Sequence, residues 1–71
     1  MNLPDIEVVA SAVHDAWMEG KRAKGIFSRK AEDGEELMVP YEALSELQKE
    51  QDRSTVRTVY AAIERTSGRL P

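Results

Sequence analysis

Apolar residues recur at three- and four-residue spacing in the first third of the chain: Ile6, Val9, Ala10, Val13, Ala16 and Trp17. That period places them on one face of a helix, and the spacing predicts a first helix over 5–24. Pro4 suits a first helical turn, where its missing N–H costs nothing. Asp5 and Glu7 complement the positive end of the helix dipole. Lys21, Arg22 and Lys24 suit the negative end, and Gly25 suits a left-handed stop. Gly20 weakens the last turn by up to about 1 kcal/mol relative to Ala without ending the helix.

The helical period is lost over 26–39. Ile26 and Phe27 form a short β-favouring pair, Asp33-Gly34 is a turn signal that tolerates positive φ, and Leu37, Met38 and Val39 follow. Two short apolar pieces around Asp-Gly predict a small hairpin or an extended arm. From Pro40 the stretch PYEALSELQKEQDR resumes helical spacing, with Tyr41, Leu44 and Leu47 on one face. Ser45 and Gln48 stand at capping-box spacing, so a short turn at 41–44 is expected to pass into a helix from 46. Val56, Val59, Tyr60 and Ile63 mark a last helix, with Asp52 or Ser54 as its cap and Gly68 and Pro71 beyond its end. The expected fold is mainly α: a small three-helix domain with a short β-hairpin or extended arm between helices 1 and 2. It spans 4–66, with flexible ends at 1–3 and 67–71.

Composition narrows the choices. The chain has 71 residues, enough for one small domain. A domain of this size buries only about 60% of the surface its unfolded chain exposes. Without cysteine there is no disulfide and no thiolate metal site, and a single histidine gives no basis for a His-built one. No cofactor is implied, so stability must come from packed helices or from a partner. No apolar run approaches the roughly 20 residues of a membrane span. The N-terminal MNLPDIEVV lacks the basic and apolar regions of a signal peptide, so the expected location is the cytoplasm. The formal net charge of −3 argues against general nucleic-acid binding. The charge is uneven, however. Residues 21–30 hold Lys21, Arg22, Lys24, Arg29 and Lys30 and no acid, whereas 32–52 is mainly acidic. A local anion site is compatible with that pattern.

His14 and Trp17, the sole histidine and tryptophan, adjoin at i and i+3 on the first helix. As a general base His14 would need a nucleophile or substrate group beside it. No cysteine is present and no serine lies in a nucleophile motif, so no enzyme is read from the chain. The plainer role is a histidine that packs against the indole and hydrogen-bonds a carbonyl or carboxylate. Trp17 continues the apolar face and reads first as core. An indole can also stack on a planar ligand, at about 1–3 kcal/mol per nucleobase. One indole supplies one wall, and the second would fall to Tyr41, Phe27 or a second copy of the protein. The basic run reads as a solvated helix end or, with loop amides near Gly25, as a phosphate site. The fixed glycines and lysine of a phosphate-binding loop are absent. Glu35, Glu36, Glu42, Glu46, Glu50 and Asp52 read as mostly water-facing, with Lys49 and Arg53 spaced to pair with neighbouring acids.

The order of these pieces resembles the RyR domain, the repeat of ryanodine receptors that also occurs as single copies in bacterial and viral proteins. The resemblance runs from Ile6 to Ile63. It is carried by IEVVASAVHDAW with its His14-x-x-Trp17 pair, by Lys24-Gly25, by Pro40-Tyr41 with Leu44, and by Glu46, Lys49, Asp52 and Arg53. Where family members commonly place Trp and an aromatic-glycine pair after the first glycine, this chain has Ile26-Phe27-Ser28. The resemblance implies a small, mostly helical unit with a short extended element. It implies a non-catalytic regulatory or interaction module that binds itself or another protein. The alternative it implies is a sensor or sponge for an adenine-containing nucleotide. In that case Trp17 is the stacking residue and His14 its neighbour, Arg22 or Lys24 meets phosphate, and Tyr41 closes the pocket.

Overall fold

The computed structural model describes residues 3–67. It contains helix α1 (Ile6–Ala23), a single 3-10 turn (Tyr41–Ala43) and helix α2 (Glu46–Ser67), with an irregular arm from 24 to 40. The fold is mainly helical, but the expected trio is a pair. The two later helical stretches are one continuous rod, because neither Gly nor Pro interrupts 46–67. Asp52 and Ser54 therefore lie inside α2 rather than capping a separate helix. Thr55 and Thr58 turn their hydroxyls back onto the carbonyls of Gln51 and Ser54. The expected turn at 41–44 is the 3-10 turn, and α2 starts at Glu46 as its capping residues indicate. The amide of Gln48 donates to Ser45 Oγ at 3.3 Å.

Local chemistry sets the ends of α1. Asp5 is the N-cap rather than the first helical residue, and its carboxylate accepts the Glu7 amide at 3.1 Å. At the other end Gly25 has φ +79°. The Gly25 amide bonds the Arg22 carbonyl and the Ile26 amide bonds the Lys21 carbonyl, both at 2.9 Å. These two bonds satisfy carbonyls that the last helical turn leaves open. Gly20 lies within the helix, as expected.

The hairpin is reduced to one antiparallel bridge, Lys30 with Glu36, around a tight turn in which Gly34 takes φ +89°. The Gly34 amide bonds the Ala31 carbonyl and the Ala31 amide bonds the Glu35 carbonyl, both at 2.9 Å. No strand forms among the described residues. The flanks are too short for one, and side chains hold the arm instead. The Glu36 carboxylate accepts from the Ser28 hydroxyl, from the Arg29 amide at 2.8 Å and from the Met38 amide at 3.0 Å. Glu35 reaches α2 and accepts both the Ser45 amide (2.8 Å) and its hydroxyl (2.6 Å). That places a carboxylate at the positive end of α2, where it is electrostatically favoured.

The core is small. Ala10, Tyr41, Leu44 and Val56 are buried together, with Ile6, Val9, Leu37, Val39 and Tyr60 packed around them. On α1 the buried positions are Ala10, His14 and Met18, one step round the helix from the expected stripe. Val13 and Ala16, expected inside, are exposed. The buried face is the one turned to the 3-10 turn and α2, where Ala10 packs with Tyr41, Leu44 and Val56, and to the arm, whose Val39 carbonyl meets His14. Leu47 and Val59 are likewise exposed, against expectation. Arg53 joins the helices: its guanidinium meets Glu7 on α1 at 2.9 Å, Glu50 at 3.0 Å, and Glu46. The Tyr60 hydroxyl donates to the Pro4 carbonyl at 2.8 Å, closing the far end of the pair. The expected loose ends at 1–2 and 68–71, including Gly68 and Pro71, lie outside the described residues. Of the other end residues, Ser67 belongs to α2.

Candidate functional site

The site grows from the second half of α1. His14 is only 6% exposed although it is polar, and a buried imidazole needs partners. One is the Val39 carbonyl, 2.7 Å from Nε2. A carbonyl can only accept, so Nε2 carries a proton. Nδ1 faces the Asp52 carboxylate of α2 at 3.9 Å, beyond hydrogen-bond reach. Partial burial pushes the Asp52 carboxyl up, and the charge of a protonated His14 opposes that rise.

Trp17 stacks on His14, with ring centroids 5.5 Å apart and planes inclined by 27°. The indole is half-buried, between the core and surface readings of the sequence. Lys21 brings its ammonium to 5.8 Å from the indole centroid. Tyr41 lies behind His14, with centroids 6.3 Å apart. Its ring is buried under Lys49, whose ammonium is 5.9 Å from the centroid. Its hydroxyl has no hydrogen-bond partner in good geometry among the described residues. Burial, and then the facing Glu7 carboxylate, pushes the phenol up. Glu7 itself is held low, chiefly by the Arg53 guanidinium.

His14, Trp17 and Asp52 border a hollow of about 190 Å³ between α1, the arm and the start of α2. Its walls are apolar (Val13, Trp17, Leu37 and Leu44), and its polar lining is His14, Asp52 and Gln48. Leu37 and Gln48 are shared with a second hollow, of about 360 Å³, which continues across α2 past Leu47 and Gln51 and is bordered by Glu32 and Asp33. Adjoining at Leu37 and Gln48, they make a groove that is mainly apolar at its α1 end and has an acidic rim. Val13 is 49% exposed and Leu47 60% exposed on its two sides. Among the described residues no lysine or arginine lines either hollow.

Of the residues proposed from sequence, His14, Trp17 and Tyr41 come together, with His14 stacked on the indole and bonded to the Val39 carbonyl. Arg22 and Lys24 do not join them. Arg22 rests on the Met18 sulfur at 3.8 Å, and Lys24 is the exposed C-cap of α1. The cation that does reach Trp17 is Lys21, one turn along the same helix. Sequence reasoning missed Asp52 as a neighbour of His14, and it missed Leu37 and Gln48. The buried imidazole was the available signal, because such a ring calls for a partner from another element. Glu42, Glu46 and Glu50 are exposed, and Glu46 and Glu50 pair with Arg53, whereas Glu35 and Glu36 depart from the expected solvated face by holding backbone amides. Lys49 lies on Tyr41 rather than on a neighbouring acid. Among the described residues no three His, Asp or Glu side chains gather closely enough to hold a metal ion. No helix there is long and apolar enough to cross a membrane. Comparison with family models, with curated proteins and with solved structures found no match to this chain.

Proposed function

We propose that this chain is a non-catalytic regulatory and interaction module of the RyR-domain type, which works by binding a partner protein or a second copy of itself. One observation carries the reading: a groove walled by the apolar Val13, Trp17, Leu37 and Leu47 lies uncovered beside a thin core. Grouped exposed apolar side chains on a small domain mark contact surfaces. The residues that carry the family resemblance support it too, since His14, Trp17, Tyr41 and Leu44 converge at or just beneath this groove. Sedimentation and binding of a surface-hydrophobicity dye, measured on the wild type and on Leu47→Glu, test it. The expected result is concentration-dependent mass or strong dye binding in the wild type, and loss of both in the variant. Equal behaviour of the two proteins would remove the groove as a contact surface.

A second reading is a sensor or sponge for an adenine-containing nucleotide. It is favoured by the ammonium of Lys21 over the Trp17 ring, a cation and a stacking face side by side. Size and charge weigh against it. Small-molecule sites run roughly 300–1,000 Å³, and the hollow at Trp17 is about 190 Å³. The larger hollow beyond it is bordered by Glu32 and Asp33, which repel phosphate. Titration of the Trp17 emission with ADP and ATP, backed by calorimetry, separates the readings. Unchanged emission and flat heats retire the nucleotide.

A further inference from the structure

Resting on the interaction reading, we infer that the groove's occupant is a second copy of this chain, whose basic segment 24–30 docks into the groove while its own groove receives the same segment in return. The segment has the chemistry of a ligand. Phe27 is 72% exposed, an aromatic ring with no core to enter. It stands between Lys24 and Arg29, which are exposed and make no ion pair among the described residues. Lys30 is already drawn to Glu36 at 3.6 Å.

The groove has the complementary chemistry. Its apolar walls suit one aromatic side chain, and the hollow beside Trp17 is of side-chain size. Its floor offers an acceptor: the Asp52 carboxylate lines the hollow and receives no hydrogen bond from the described residues, with His14 Nδ1 3.9 Å away. A guanidinium or ammonium brings several N–H donors to such a carboxylate. Along the rim Glu32 is exposed and makes no ion pair among the described residues, where Asp33 receives only the amide of Glu35, at 2.9 Å. Cationic segment and acidic rim lie on either side of the same Lys30–Glu36 bridge. A twofold axis near that bridge sets each segment against the partner's rim, and twofold closure is the commonest way for a chain to pair with itself.

The test uses the whole chain and three variants at exposed positions, Phe27→Ser, Arg29→Glu and Glu32→Lys, with circular dichroism confirming helix content. Sedimentation is followed to about 1 mM protein at low and high salt. The wild type is expected to form a salt-sensitive dimer. Phe27→Ser should weaken it by about tenfold or more, in line with loss of an aromatic anchor. Arg29→Glu and Glu32→Lys should each be monomeric alone, because each sets like charges across both halves of the interface. Mixed together they should associate, since every contact is then between opposite charges. A wild type monomeric throughout overturns this inference and leaves partner binding standing. A dimer indifferent to all three variants overturns this interface and leaves self-association standing.

Discussion

The Nε2 of His14 lies 2.7 Å from the carbonyl oxygen of Val39, 25 residues further along the chain. This bond pins the arm to α1 and orients the ring that faces Asp52. Removing the imidazole would orphan a carbonyl near the core and leave a cavity beside Trp17. His14→Ala is expected to cost about 3 kcal/mol. His14→Gln, which can keep a donor near Val39, should cost less. Urea unfolding of both variants checks the order, and equal losses would mean that packing alone holds the arm.

Trp17 is half-buried, so its truncation should fall short of the 3–5 kcal/mol of a fully buried aromatic. A cost of about 2 kcal/mol is expected for Trp17→Ala. Chemical denaturation followed by circular dichroism measures it. A loss under about 0.5 kcal/mol, the scale of an ordinary surface change, would show that the stacking on His14 adds nothing to the fold.

Arg53 meets carboxylates from both helices, and its side chain is only 17% exposed. Glu7, then Glu46 and Glu50, hold its guanidinium charged still more firmly than usual. Among the described residues Arg57 reaches only Glu50 and does not cross to α1. Arg53→Ala should therefore lower the melting temperature more than Arg57→Ala. Arg53→Lys should not restore it, because an ammonium cannot present the planar fork. Added salt should narrow the gap between wild type and variant. A thermal melt series in rising salt reads all three outcomes.

The Glu36 carboxyl is held down to about 2, first by the Ser28 hydroxyl and then by the amides of Arg29 and Met38. A depressed folded-state value means that this carboxylate contributes stability above its ordinary value of 4.5 and loses it as pH falls through about 2. The urea midpoint should thus decline over that acid window. Glu36→Gln should be weaker at neutral pH and show a shallower acid decline. An unchanged decline in the variant would assign the acid sensitivity to other carboxylates.

Two glycines of α1 and its cap should respond with opposite signs. Gly25 sits at φ +79° with open space around it, so Gly25→Ala costs conformation alone, about 1 kcal/mol. Gly20 is inside the helix with nothing within 4 Å of an added Cβ, so Gly20→Ala should gain up to about 1 kcal/mol. Melting temperatures of the two variants decide this. A loss at Gly20 would point to a contact on that face.

Much of the scaffold was legible without coordinates because its signals are local. Helical period, the Asp5 cap, the Gly25 stop, the Asp33-Gly34 turn and the start of α2 after Ser45 each depend on residues a few positions apart. What misled was equally local: an acid and a serine at 52 and 54 look like a cap, yet a cap forms only where the helix is broken, and nothing breaks 46–67. Pairing chemistry in the arm was also hidden. Glu35 and Glu36 look like any solvated acids until Ser45 and the Arg29 and Met38 amides are brought beside them.

By itself the amino-acid sequence determined helical, amphipathic stretches on either side of a glycine-bearing turn, and the adjacency of His14 and Trp17, since one turn of helix dictates that neighbourhood; that the later stretches are one helix was not among them. The tertiary structure decided which side of each helix is buried, that Asp52 and Val39 flank the imidazole, and that Val13, Leu37 and Leu47 line an open groove. Those outcomes depend on how the arm crosses α1 and where Arg53 clamps the two helices. Contacts between residues 25 to 46 positions apart are settled by the mutual packing of whole elements, and no local pattern encodes them.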